Sequence, residues 1–168
     1  MAAAVLARHM EVARIAGETT SAGTNVITVS PATDDAVEAA AELWFDLADH
    51  KSSRLDEMVV SNADLVLALS REHAREVVVL EPAAYWRTFT FKELVRRGEA
   101  TPRTDEPFDD WLFARASERA SPEELLGASP ADDIADPIGQ PISEYRRTIT
   151  ELDDLADRLV RVAWPRGE

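Results

Sequence analysis

The chain has 168 residues, 45% of them apolar and 30% charged, with a formal net charge of −14. That length suits one domain, and that composition excludes a chain that is disordered throughout. The acidic balance argues against a nucleic-acid or anionic-membrane surface, and the absence of cysteine excludes disulfides, thiolate metal sites and a cysteine nucleophile in these residues.

Residues Ala2 to Arg14 read as a helix, with Val5, Leu6, His9 and Ala13 at helical spacing in an alanine-rich background. Glu18 to Thr24 reads as a short strand closed by the turn residue Gly23, and Asn25 to Ser30 as a second strand or an extended loop. Pro31 and Thr33 open a helix whose first turn carries Asp34 and Asp35, where the helix dipole favours negative charge. Val37, Ala40, Ala41 and Trp44 are its expected buried stripe. Asp64 to Leu69 is the clearest strand, a continuous apolar run of the kind buried on both faces of a parallel sheet. Ser70 is the expected N-cap of a helix reaching about Leu80, which Pro82 ends.

Arg87 to Phe91 alternates polar and apolar residues and reads as a further strand, and Lys92 to Arg97 as at least a turn of helix. A Pro/Asp/Glu-rich stretch follows. In it Phe108, Trp111, Leu112 and Phe113 are bulky enough to dock, and Ser121-Pro122-Glu123-Glu124 has the form of a capping box. Short helices are expected there. Ile142 to Ala163 is the best helix in the chain, with Ile142, Tyr145, Ile149, Leu152, Ala156, Leu159 and Ala163 along one face and Pro165 as its stop. Alternating helices and strands argue for an α/β domain with a parallel sheet, whose ligands bind at the carboxyl ends of its strands. No apolar run approaches the roughly 18 residues of a membrane span. Met1 to Met10 lacks the positive start of a signal peptide, so the expected location is cytoplasmic.

The order of the pieces then becomes recognisable. Ser21-Ala22-Gly23-Thr24 precedes the helix near Ala36, which is followed by Asp49-His50-Lys51-Ser52-Ser53-Arg54. Next come Ala63-Asp64-Leu65-Val66-Leu67-Ala68-Leu69, then Arg87-Thr88-Phe89-Thr90-Phe91, then Asp133-Ile134-Ala135-Asp136-Pro137 before the terminal helix. This arrangement resembles the low-molecular-weight protein tyrosine phosphatases over nearly the whole chain. The resemblance implies one domain over 1–168 with a Pro/Asp/Glu-rich loop insertion at about 98–135. Its fold would be α/β: a three-layer parallel sheet flanked by helices, of the phosphotyrosine phosphatase I-like kind, missing its first strand.

The resemblance also implies a chemistry. The family carries a phosphate-binding loop of pattern C-x-x-x-x-x-R-[ST] after its first strand, cradled by backbone N–H groups and the next helix N-terminus. That field lowers the cysteine pKa, so the sulfur attacks phosphorus as a thiolate. An aspartic acid in an Asp-Pro loop protonates the leaving oxygen and then serves as base for the attacking water. Here the helix that follows the loop in the family corresponds to Met1 to Arg14. The strand, the cysteine and the arginine are therefore expected upstream of Met1. No nucleophile can be assigned in these residues, and the chain as written is expected to be inactive.

Asp136 matches the general acid; on chemistry alone an Asp-Pro pair simply begins a turn. His50 matches a histidine that props the phosphate loop; on its own a lone histidine in a polar loop is simply solvated. Ile138 stands where the family often has an aromatic residue lining the substrate pocket. Tyr85 and Trp86 are candidates for a pocket wall or for ordinary packing. His9, His50 and His73 have no ligand spacing, so neither a metal nor another cofactor is expected. The basic residues between Arg71 and Arg103 interleave with Glu72, Glu76, Glu93 and Glu99 and read as a solvated face, as do Asp132 and Asp133.

Three functional readings follow. One is a phosphatase of this family in which Met1 is an internal methionine, acting on a phosphorylated protein or small phosphate ester once the loop is supplied. A second is a pseudophosphatase that binds a phosphoprotein or partner without turnover; an arsenate-reductase-like relative on the same fold is a further alternative. The third is an acidic α/β or helical domain whose likeness to the family is accidental. Oligomeric state is not legible. Loss of an interior strand would orphan buried backbone groups at about 1–3 kcal/mol each. A chain that is marginal, aggregation-prone or repaired by re-pairing of its strand edges is therefore expected, and a cooperative melt above about 60 °C would count against that.

Overall fold

A computed structural model describes residues 1–165. The chain divides into two compact units, one of residues 1–54 with 135–160 and the other of residues 55–134 with the end of the chain from 161.

The first unit begins with helix α1 (Ala2–Ala13), which buries Val5 and Met10. Helix α2 (Asp34–Glu42) is capped by Thr33, whose hydroxyl accepts the Ala36 N–H, and it carries Asp34 and Asp35 in its first turn as expected. Of the expected stripe only Ala40 is buried, beside Ala36 and Ala39; Ala41 is exposed and Val37 half-buried. The helix ends before Trp44, which lies at φ 65° and turns its side chain out, 85% exposed. The first five turns of the terminal helix α7 (Ile142–Ala163) complete the unit, burying Tyr145, Ile149, Leu152, Leu155, Ala156 and Leu159. The bounds and face of α7 match those read from the sequence. A run of 22 residues with a continuous apolar face leaves the helical period no competitor.

The expected strand at Glu18 to Thr24 does not form a ladder. It contributes one isolated parallel bridge, Gly23 with Arg54, and Pro31 makes an isolated antiparallel bridge with Lys51. Its residues are mostly exposed, so there is no buried side-chain set to stabilise a strand and fix its register.

In the second unit helix α3 (Glu57–Ser61) leads to strand β1 (Val66–Ala68), helix α4 (Arg71–Leu80), a 3-10 turn (Pro82–Arg87), strand β2 (Thr88–Thr90) and helix α5 (Phe91–Ala100). β1 and β2 pair in parallel, Val66 opposite Thr88, Leu67 opposite Phe89 and Ala68 opposite Thr90. This β–α–β connection is the parallel arrangement expected from the alternation of elements. Ser70 caps α4 by accepting the His73 N–H, and Thr90 caps α5 by accepting the Glu93 N–H. Val60, Val77 and Ala84 form one apolar cluster with Leu55, Val66 and Leu80. Ala68, Ala74 and Leu125 form another with Val78 and Tyr85.

The Pro/Asp/Glu-rich stretch is structured. Helix α6 (Phe108–Ser117) buries Trp111 and Leu112, and Phe108 stacks on Trp164 with ring centroids 5.0 Å apart. The expected capping box at Ser121 forms a 3-10 turn (Pro122–Leu125) instead. Ser121 makes no side-chain cap, while the Glu124 carboxylate reaches back to the Ala120 N–H.

The interleaved charges are only in part a solvated face: Glu72, Arg96 and Glu99 are exposed. Glu93 is buried and paired with Arg97 at 3.0 Å and with Arg119, whose Nε and Nη2 donate to its two oxygens at 2.8 and 2.9 Å. The Arg119 guanidinium lies between the rings of Tyr85 and Phe89, 4.8 and 4.6 Å from their centroids, and donates to the Tyr85 and Thr88 carbonyls. Tyr85 thus packs on an arginine, and Trp86 lies beneath the guanidinium of Arg87 at 5.5 Å. Among the described residues no helix is long and apolar enough to cross a membrane.

Candidate functional site

Two of the segments that carry the resemblance, Ser21 to Thr24 and Asp49 to Arg54, are drawn together within the first unit. The Gly23 N–H donates to the Ser53 carbonyl at 2.8 Å, and the Ser53 hydroxyl donates to the Ser21 carbonyl at 2.5 Å. One turn further out, the Ser52 N–H donates to the Ser30 carbonyl and the Ser30 N–H to the Ser52 hydroxyl, both at 2.8 Å. Ser21 to Thr24 is thereby tied to Ser52 to Arg54 by main chain and hydroxyls. Small polar residues suit that role because they approach the backbone closely.

His50 stands at the start of this second segment. It follows a turn in which Asp46 accepts the Ala48 N–H and the His50 N–H donates to the Leu47 carbonyl at 3.1 Å. Its side chain is half-buried. Burial is the larger cause that holds its pKa below the ordinary histidine value, and the ammonium of Met1 adds to it. Met1 is the N-cap of α1, and burial pushes its own amino group below the usual value. His50 therefore sits within electrostatic reach of the amino end of α1. That end also carries the positive pole of the helix and its unpaired N–H groups.

Asp136 lies on the loop that leads into α7, with its side chain in solvent. Its Oδ1 accepts the Ile138 N–H at 3.0 Å, the Asx turn that an Asp-Pro pair favours. Pro137 is buried, the Gln140 N–H donates to the Pro137 carbonyl, and Gly139 takes φ 72°, a conformation other residues enter at a cost. One residue before Asp136, the Ala135 carbonyl accepts the Thr148 hydroxyl of α7 at 3.3 Å. Ile138 is exposed.

Asp132 and Asp133, read from the sequence as solvating, are engaged instead. Asp132 is only 4% exposed, and its carboxylate receives Arg71 at 2.6 Å and Arg96 at 2.8 Å. Burial works to raise its pKa, yet hydrogen bonds and charge from the two guanidiniums bring it below the ordinary carboxylate range. Their place in a polar loop gave no periodicity from which to read this. The available signal was the arginine opening a helix after a buried strand, with acids shortly before an Asp-Pro pair.

The model of the family described as low molecular weight phosphotyrosine protein phosphatase matches residues 1–110 of the chain. The chain belongs to that family. A protein-arginine-phosphatase of Geobacillus stearothermophilus is 31% identical over 112 residues, 67% of this chain and 54% of that protein. A probable low molecular weight protein-tyrosine-phosphatase of Ralstonia nicotianae is 30% identical over 82 residues, 49% of this chain and 57% of its own length. The chain thus spans about half the length of the curated relatives it matches. Among solved structures, a low molecular weight protein tyrosine phosphatase from T. tengcongensis superposes with TM-score 0.70 at 26% identity, covering 95% of this chain and 87% of that one. The YwlE arginine phosphatase from Geobacillus stearothermophilus does so with TM-score 0.67 at 29% identity, covering 99% and 89%. Asp136 lies beyond the family-model match and within the reach of the structural likeness.

Proposed function

We propose that these residues form the general-acid and loop-supporting part of a phosphoprotein phosphatase and do not by themselves turn over a phosphate ester. The observation that carries this reading is an exposed Asp136 on an Asp-Pro loop entering α7, in a family chain that holds no cysteine. In this reading a cysteine thiolate supplied by the phosphate loop, which these residues do not hold, forms the P–S bond. Meanwhile the Asp136 carboxyl donates its proton to the leaving oxygen or nitrogen as the P–O or P–N bond breaks. The Asp136 carboxylate then takes a proton from the water that attacks the phosphoenzyme. His50, kept neutral by burial, supports the anion-binding loop near the amino end of α1 through a hydrogen bond rather than a charge. The substrate class is a phosphorylated protein side chain. Relatives named as acting on phosphotyrosine and on phosphoarginine are similar to this chain to nearly the same degree.

Two proteins test this. The chain itself is expected to release no p-nitrophenolate from p-nitrophenyl phosphate above the buffer rate. The same chain with a strand and a C-x-x-x-x-x-R-[ST] loop fused ahead of Met1 is expected to turn over. Asp136→Asn in that fusion should lower kcat by about 10²–10⁴. Hydrolysis by the unfused chain, or a fusion indifferent to Asp136→Asn, would sink the reading. Phosphotyrosyl and phosphoarginyl peptides offered to the fusion distinguish the two substrate types.

A further inference from the structure

The loop from Ser129 to Ile134 has no regular secondary structure, yet Ser129, Asp132, Asp133 and Ile134 are all hydrogen-bonded. Two consecutive aspartates meet one arginine from two sides. The Arg71 side chain donates to the Asp132 carboxylate from Nε at 2.8 Å and Nη2 at 2.6 Å, and the Arg71 backbone N–H donates to Asp133 Oδ1 at 2.8 Å. The other oxygen of Asp133 closes the loop on itself by accepting the Ser129 N–H at 2.8 Å. Arg96 of α5 donates to Asp132 Oδ1 at 2.8 Å, and Lys92 Nζ donates to the Asp133 carbonyl at 2.7 Å. The Ile134 N–H then joins the carbonyl of Leu69, just past the end of β1, at 2.7 Å. Leu69 after β1 and helices α4 and α5 thus all hold the three residues, Asp132 to Ile134, that lead into Ala135-Asp136.

The chemistry makes this a firm hold. A carboxylate as buried as Asp132 needs its charge and lone pairs met, and two guanidiniums meet them. Asp133 adds its charge at the amino end of α4, where the helix dipole favours it and where Ser70 already serves as cap. Anchoring of this kind suits a general acid on a loop, because reacting groups must be held within about half an ångström of their working position.

We propose that Arg71, acting through Asp132 and Asp133, is a positioning residue that fixes the backbone entering the Asp136 loop. This rests on the reading of Asp136 as the acid, and its test does not use turnover. Amide hydrogen exchange on the chain itself, resolved at Ile138 and its neighbours, compares wild type with Arg71→Met. The variant leaves Asp132 paired with Arg96, so its charge is not orphaned. Exchange at Ala135, Asp136 and Ile138 should rise by about tenfold or more while Ile149 and Leu152 in α7 keep their protection. Arg71→Lys, which keeps the charge without the two-pronged fork, should fall between. Should Arg71→Met fail to fold, Asp133→Ala removes the backbone anchor with both ion pairs of Asp132 intact and should show the same pattern. Unchanged exchange at Ile138, or a rise no larger than that in α7, would overturn the proposal. A loosened loop together with a fusion indifferent to Asp136→Asn would leave the clamp standing and remove the acid it was read to serve.

Discussion

At the residue scale, two helices end on side chains that the geometry does not favour. Arg14 at φ 60° and Trp44 at φ 65° occupy the left-handed position after α1 and α2. Around Trp44 the Trp44 N–H joins the Ala41 carbonyl and the Phe45 N–H joins the Ala40 carbonyl, the pair of bonds that glycine usually completes. Since the indole is exposed, Trp44→Gly loses little packing and should raise stability by about 1 kcal/mol, read as a higher midpoint in urea. Glycine makes the opposite case at position 98. A Cβ there would meet Val162 Cγ2 at 2.7 Å and the Trp111 ring at 3.2 Å, so Gly98→Ala should cost about 1–3 kcal/mol in the same measurement. The pair Glu93–Arg119 is buried on both sides. Removing either partner alone strands a charge, and Glu93→Ala should destabilise by about 3–5 kcal/mol. None of these three sites was legible from residue type. Trp44 read as a buried stripe member and Glu93 as solvated, because spacing says which residues share a face but not where a helix stops or what packs on it.

At the scale of elements, α7 and the β1–α4–β2 unit were legible and the Glu18 to Thr24 segment was not. α7 carries its own evidence, with Ile149, Leu152, Ala156 and Leu159 recurring at helical spacing and all buried. Leu152→Ala is expected to cost about 2–5 kcal/mol, since the side chain is fully enclosed and its removal leaves a cavity. β1 was visible as an apolar run bounded by Asp64 and Ser70, although only Val66 to Ala68 form ladder bonds. Threonine-rich residues 18–24 have strand propensity without a buried face, and propensity alone does not make a ladder.

For the whole chain, acid is the weak side. His50 has a folded pKa below its ordinary value of about 6.5, so the unfolded chain takes up that proton first. Its contribution to stability is complete above about pH 6.5 and is lost as pH falls from there through the lowered folded value. The amino group of Met1 acts with the same sign from about pH 8 downward. The melting temperature is expected to fall between pH 8 and pH 5.5, and His50→Gln should flatten the lower part of that slope. A net charge of −14 adds exposed repulsion, which about 0.5 M sodium chloride should relieve while sparing the buried pairs of Asp132 and Glu93. A higher melting temperature in salt would bear this out.

By itself the sequence determined the alternation of helices and strands, the extent of α7, the absence of a sulfur nucleophile and the order of motifs that marks the family. Those are properties of local period, composition and spacing. Only the tertiary structure decided that Asp132 is buried between Arg71 and Arg96, that Arg119 lies between two rings against Glu93, and that residues 18–24 stay outside a ladder. Charged side chains look alike in a sequence whether they face water or one another. The difference lies in desolvation and in partners tens of residues away, which no local pattern encodes.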